Sequence, residues 1–301
     1  FQCRLIAAPN VVVTLKPIHS LVASVMQGVG EPAWILPDGA SPHTFALKPS
    51  TLKQLHQADL IIWMGPELEQ FMLKPLTQLT PKNGIITMMK IPHLKRLPQR
   101  HGRQWQEEHD HDHHHDHSHE YDPHLWLSIE NAIVMVDYFG HYFAQIDNPN
   151  SAKYLDNAKK TIVRLKSLKS QIQQQLATVH KTPFLVYHDG YQYFEKEFHL
   201  NAVGTMRLNP HIPLSAHSLK HIQTLIRTHG IHCVFRETEF NDSMIVKSLH
   251  HLPVQVAELD PLGVHIRAGT ALYETLLLNM AKTMRQCLAA QPLKSQKHTK
   301  Q

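Results

Sequence analysis

Short apolar runs alternate with helical stretches from the start of the chain. Asn10–Leu15, which contains Val11-Val12-Val13, reads as a buried strand, and an amphipathic stretch follows from Pro17 to about Val29. Trp34–Leu36 and Leu60–Trp63 read as the next strands. Between them Ser50 is placed to cap a helix running to Ala58, with Leu52 and Leu55 on one face, and Pro66–Phe71 opens another helix. Strands that are apolar at every position, rather than at alternate ones, are covered on both faces. The pattern therefore predicts a parallel sheet with helices packed on either side.

The pattern breaks near residue 100. His101–His124 holds nine His and seven acidic residues among 24, with almost nothing apolar. So little apolar surface cannot offset the entropy of ordering, and a disordered loop is expected over about 101–122. Pattern returns at Leu125–Leu127 and continues through a helix from Ile129 to Phe143. After Asn148-Pro149, apolar or small residues recur in steps of three and four, from Tyr154, Ala158 and Ile162 to Leu176 and Val179. About 30 residues without Gly or Pro would make a helix roughly 45 Å long. Pro183–Tyr187 opens a second alternation, with Cys233–Phe235 and Val254–Val256 as later strands and a closing helix from Gly269 to Cys287. The expected fold class is α/β: two lobes, each a mostly parallel sheet flanked by helices, joined by a single long helix. The expected boundaries are 1–147 for the first lobe, 148–181 for the linking helix, 182–290 for the second lobe and 291–301 for a flexible tail.

Composition narrows the function. At 42% apolar the 301-residue chain is too hydrophobic to be disordered, and its 12 Gly and 19 Pro are too few for a fibrous protein. No apolar run approaches the roughly 18 residues of a membrane helix, so the chain reads as soluble. The formal charge of +5 is modest and no basic stripe with interleaved aromatics occurs, which argues against a nucleic-acid partner. The three cysteines, Cys3, Cys233 and Cys287, show no CxxC spacing. They are either idle thiols or one bridge, Cys233 to Cys287, with Cys3 left over. Cys3, so near the start, has the look of the edge of a removed leader. What is unusual is histidine, at 26 residues.

In open α/β sheets ligands bind beyond the carboxyl ends of the strands. His43 follows the Trp34–Leu36 strand in the turn-rich Pro37–His43. His124 directly precedes Leu125–Leu127, His188 and Asp189 end the Phe184–Tyr187 strand, and Asp260 lies just past Gln255–Ala257. Three imidazoles and a carboxylate from four junctions, two in each lobe, could converge in a cleft, and neutral imidazoles suit Zn²⁺ rather than Mg²⁺ or Ca²⁺. The competing reading is ordinary loop histidines in a His-biased chain. The run His109–His119 alternates imidazole and carboxylate and offers accessory metal binding, without individual ligands being assignable. His119-Glu120 makes no metalloprotease helix, because the next His, His124, comes one residue too late. No phosphate loop or GxSxG nucleophile turn is present. Tyr191, Tyr193 and Phe194 read as packing residues. His217, His221, His229, His232, His250 and His251 read as surface bias, while His211, in a Pro-rich turn, could face the cleft.

Several blocks together resemble the zinc-binding proteins of bacterial high-affinity zinc ABC importers (ZnuA-like, cluster A-I solute-binding proteins). They are Leu36–Ser50, Ala58–Glu67, the acidic His-rich loop ending in His124–Ser128, Tyr187–Lys196 and Leu259–Gly263. The resemblance runs from about residue 10 to 288. It implies a periplasmic two-lobe binding protein with a rigid backbone helix. It places the three His ligands at His43, His124 and His188 and, by likeness to manganese-type members, an aspartate at Asp260. Some zinc members carry an acidic residue before the first His. Here that position is Pro42, which leaves Asp260 or water as the fourth ligand. The resemblance also pairs Cys233 with Cys287, a bridge an oxidising periplasm permits. Closing that loop is worth roughly 4 kcal/mol in the chain-entropy model.

The function expected is therefore capture of Zn²⁺ and delivery to an inner-membrane ABC permease by a monomeric, non-enzymatic protein. Affinity should fall below about pH 6 as the His ligands protonate, and Asp189 is a candidate to orient the His188 ring. The alternatives are a Mn²⁺ or Fe²⁺ importer component, a zinc hydrolase built on three His, and a metal buffer acting through the His-rich loop.

Overall fold

A computed structural model describes residues 8–100, 105, 121–207, 215–238, 249 and 252–290. The expectations for Cys3, His211, His250, His251, most of the His-rich loop and the 291–301 tail lie outside the described residues. The described chain divides into two compact units. The first takes the chain as far as Arg96, then Leu125–Gln171 and Leu262–Leu277; the second takes Leu97–His124, Ile172–Pro261 and the chain from Leu278.

In the first unit four strands, β1 (Val11–Val13), β2 (Ala33–Trp34), β3 (Leu60–Trp63) and β4 (Ile85–Thr87), form one sheet in the order β2-β1-β3-β4. Every pairing is parallel. The residues of β1 and β3 are all buried, as their unbroken apolar runs require. β4 was not evident in the sequence, because only Ile85 and Ile86 are apolar before Thr87 and the strand is only partly buried. Helix α1 (Lys16–Met26) holds Pro17 in its first turn, where its fixed φ fits, and ends before Gly28 at φ +77°. Helix α2 (Pro49–His56) corrects the expected cap. Lys48 occupies the cap position and Ser50 lies inside the helix, because Pro49 already starts the first turn. Helix α3 (Gln70–Leu76) follows β3. Leu125–Leu127 is a buried 3-10 turn leading to helix α4 (Ile129–Ile146), where Ser128 Oγ accepts from the Asn131 N–H.

Helix α5 (Ser151–Leu176) links the two units, preceded by a 3-10 turn at Asn148–Asn150 that holds Pro149. The second unit repeats the first sheet's design. β5 (Phe184–His188), β6 (Ala202–Arg207), β7 (Cys233–Glu237) and β8 (Gln255–Leu259) are all parallel, in the order β6-β5-β7-β8. Helices α6 (Gln192–Phe198) and α7 (Ala216–Thr228) follow β5 and β6. β6 escaped the sequence pattern because Gly204 and Thr205 interrupt its apolar run; Thr205 Oγ1 donates to the Tyr187 and Arg207 carbonyls. The Cys233–Cys287 disulfide ties β7 to the closing helix α8 (Leu272–Leu288). The fold is thus two four-stranded parallel sheets flanked by helices and joined by one long helix.

Candidate metal centre

In the second sheet the chain leaves β5 for β6 on one side and later places β7 and β8 on the other. The gap between the loops after β5 and β7 is therefore a topological switch point, where open α/β sheets bind ligands. His188 is the last residue of β5 and Glu237 the last of β7. His188 Nδ1 donates to Glu237 Oε1, and both side chains are buried. His124 reaches the same place from the stem that closes the His-rich stretch. Its Nδ1 donates to Asp122 Oδ1 at 2.7 Å, while the same oxygen accepts the His124 backbone N–H at 3.0 Å.

These two carboxylates decide the chemistry. An ionised carboxylate only accepts, so each ring keeps its proton on Nδ1 and turns the Nε2 lone pair outward. The two Nε2 atoms lie 3.4 Å apart with ring centroids 5.2 Å apart. With both protons on Nδ1, neither Nε2 can donate to the other. Two nitrogens bound at about 2.0–2.1 Å to one tetrahedral ion stand about 3.3–3.4 Å apart. The pair is spaced for a shared cation, each ring backed by a carboxylate in the arrangement common to His-ligated zinc.

Burial and the neighbouring His188 hold the His124 imidazole far below its ordinary value, near 3. Burial pushes the Asp122 carboxyl up to about 6, against the pull of the His124 N–H, Arg100 and His188. Burial thus favours the neutral His124 ring and shifts acid sensitivity of this pair towards Asp122.

Asp189 does not orient His188. Its carboxylate receives Arg100, and Glu237 on the neighbouring strand holds the ring instead. Glu237 and Asp122 were both missed in the sequence. Glu237 ends an apolar strand run, a signal as good as the one that marked His188. Asp122 was read as part of the polar loop, yet it is buried.

His43 lies in the first unit, half-buried in a turn after β2 in which the Thr44 and Phe45 N–H groups donate to the Ser41 carbonyl. Asp260, in the second unit, directly follows Leu259, the register partner of Glu237, and so sits at the carboxyl edge of the same sheet. In the first unit the corresponding switch point holds a buried acid that the sequence reading also passed over. Glu69 Oε2 accepts the Met64 N–H at 2.5 Å at the end of β3, and burial raises its carboxyl to about 7.

The second of two parallel sheets, joined to the first by one long helix, thus carries an imidazole pair spaced for a cation. The sequence profile of the family described as zinc-uptake complex component A, periplasmic (ZnuA) matches residues 11–287. The high-affinity zinc uptake system protein ZnuA of Brucella suis is 33% identical over 306 residues, covering 93% of this chain and 92% of its own length. A crystal structure of ZnuA superposes with a TM-score of 0.78 at 21% identity, covering 93% of this chain and 99% of that one. FpvC from Pseudomonas aeruginosa, solved in complex with Mn²⁺, gives 0.78 at 18% identity, covering 94% and 99%. The chain belongs to the ZnuA family, whose members are described as periplasmic components of zinc-uptake complexes. Among the described residues no helix is long and apolar enough to cross a membrane.

Proposed function

We propose that the ion captured is Zn²⁺, that His43, His124 and His188 bind it with Asp260 or a water as fourth donor, and that the monomer hands it to a membrane permease without catalysing a reaction. The observation that carries this reading is the 3.4 Å Nε2–Nε2 pair with both Nδ1 atoms committed to carboxylates. Imidazole nitrogen favours zinc, whereas manganese favours carboxylate and water oxygen. With three imidazoles and at most one aspartate, the donor set is a zinc set. The Mn²⁺-bound fold relative keeps manganese as the second reading.

Zinc titration against a calibrated chelator tests the assignment. His43→Ala, His124→Ala and His188→Ala should each remove the tight site, and deleting residues 107–120 should leave it intact. Loss of tight binding on deletion alone would make the protein a loop-based buffer. A parent-like affinity for Mn²⁺ would move the cargo to manganese.

A further inference from the structure

Apart from the imidazole pair, the second unit holds a cluster of part-buried charge around Arg100, with the Glu195 side chain buried. Arg100 Nε donates to both Asp189 oxygens at 3.0 Å. Nη1 donates to Glu195 Oε2 at 2.7 Å, and Nη2 to Glu195 Oε1 at 3.3 Å and to Asp189 Oδ1. The Trp105 ring lies on the guanidinium, 3.4 Å from Cζ to its centroid. Arg, with its planar fork, can hold two carboxylates and stack on an indole at once; Lys cannot.

The residues it holds lead to both imidazoles. Asp189 is the chain neighbour of His188, and Glu195 lies on α6. Arg100 itself ends a stem that is stitched to the residues before His124. The Asp122 N–H donates to the Leu97 carbonyl at 2.9 Å, and Pro98 and Tyr121 form an antiparallel bridge. The Tyr193 hydroxyl, also on α6, accepts from the Leu97 N–H at 3.0 Å and donates to the Asp122 carbonyl at 2.8 Å. Residues 97–100, 121–124 and 188–195 thus form one hydrogen-bonded block, with Arg100 bridging its parts and both imidazoles at its edge. Buried ion pairs add little net stability but hold geometry, and breaking one leaves a buried charge without its counterion.

We propose that Arg100 is a positioning residue of the metal centre. By locking the His188 turn against the stem that carries His124, it sets the Nε2–Nε2 separation before the ion arrives, so part of the ordering cost of binding is met during folding. The inference rests on His124 and His188 being ligands.

The test uses the full chain with Arg100→Met and Tyr193→Phe, and zinc as the probe. Arg100→Met should weaken zinc binding about 10–100-fold, the range for partners one shell beyond the ligands, and Tyr193→Phe should weaken it less. Long-range ¹H–¹⁵N spectra of the zinc-free protein should show single Nδ1–H tautomers for His124 and His188 in the parent and mixed tautomers in Arg100→Met. Affinity loss with unchanged ring signals would mean a merely structural role and would overturn the proposal, as would parent-like affinity in both variants. If Arg100→Met fails to fold, Tyr193→Phe decides by the same two readouts. His188→Ala runs alongside. If it binds like the parent, the ligand assignment has failed; if it loses the site while Arg100→Met keeps it, only the positioning role has failed.

Discussion

Replacing Glu237 with glutamine changes one buried carboxylate to an amide of nearly the same volume, at the end of β7 and against His188 Nδ1. As a carboxylate Glu237 can only accept, which keeps the ring proton on Nδ1 and the lone pair on Nε2. A glutamine can instead turn its NH₂ to the ring, drive the proton to Nε2 and block the metal-facing nitrogen. Even when its oxygen faces the ring, a charge-assisted bond of about 1.5–3 kcal/mol becomes a neutral one of about 0.5–1.5. The two effects together amount to about 1.4–2.7 kcal/mol, or 10–100-fold in zinc affinity. Chelator-competition titration at pH 7.5 reads the loss, and far-UV circular dichroism with thermal unfolding of the zinc-free protein confirms that the variant folds. A folded Glu237→Gln protein binding zinc within threefold of the parent would refute the argument that this carboxylate sets the tautomer.

Three further outcomes follow from buried groups. Glu69 keeps a folded-state pKa of about 7 against an ordinary 4.5, so the folded state holds a proton that the unfolded chain releases between those values. Stability should therefore fall by roughly 3 kcal/mol as pH rises through that window. Glu69→Gln should stabilise the protein at pH 8 and have little effect at pH 4.5 in urea unfolding; an equal effect at both pH values would contradict this. With His124 as a proposed ligand whose Nδ1–H is held by Asp122, zinc binding is expected to need Asp122 ionised. With its carboxyl raised to about 6, Kd should rise about tenfold per pH unit below that value, and a Kd unchanged from pH 7 to 5 would rule the coupling out. The Cys233–Cys287 bridge spans 54 positions, so the double serine variant should lose about 4 kcal/mol in denaturant unfolding. A loss under 1 kcal/mol would show that the bridge constrains little.

Much of the fold was legible because doubly covered parallel strands leave a local signature. β1, β3 and β5 announce themselves as unbroken apolar runs, and α5 by its regular three-and-four spacing. The elements that escaped have weak local signals. β4 has only two apolar residues and is partly exposed, β6 is broken by Gly204 and Thr205, and the start of α2 was set by Pro49 rather than by the better capping residue Ser50.

The candidate ligands were legible for a similar reason: His188 ends a strand, and ligands gather at strand ends. Their partners were not. Glu237 is 49 residues from His188 and becomes its neighbour only when β7 pairs beside β5. Arg100 sits 89 residues from Asp189, at the margin of a stretch whose composition marks it as solvated loop. The sequence by itself determined the alternation of strands and helices, the long linking helix, the histidine bias and the strand-end positions of the candidate ligands. These are one-dimensional properties of periodicity and composition. Only the tertiary structure decided which carboxylate holds the His188 imidazole, and hence which of its nitrogens keeps a free lone pair. Hydrogen-bond partners across a parallel sheet are chosen by strand order, which no local pattern encodes.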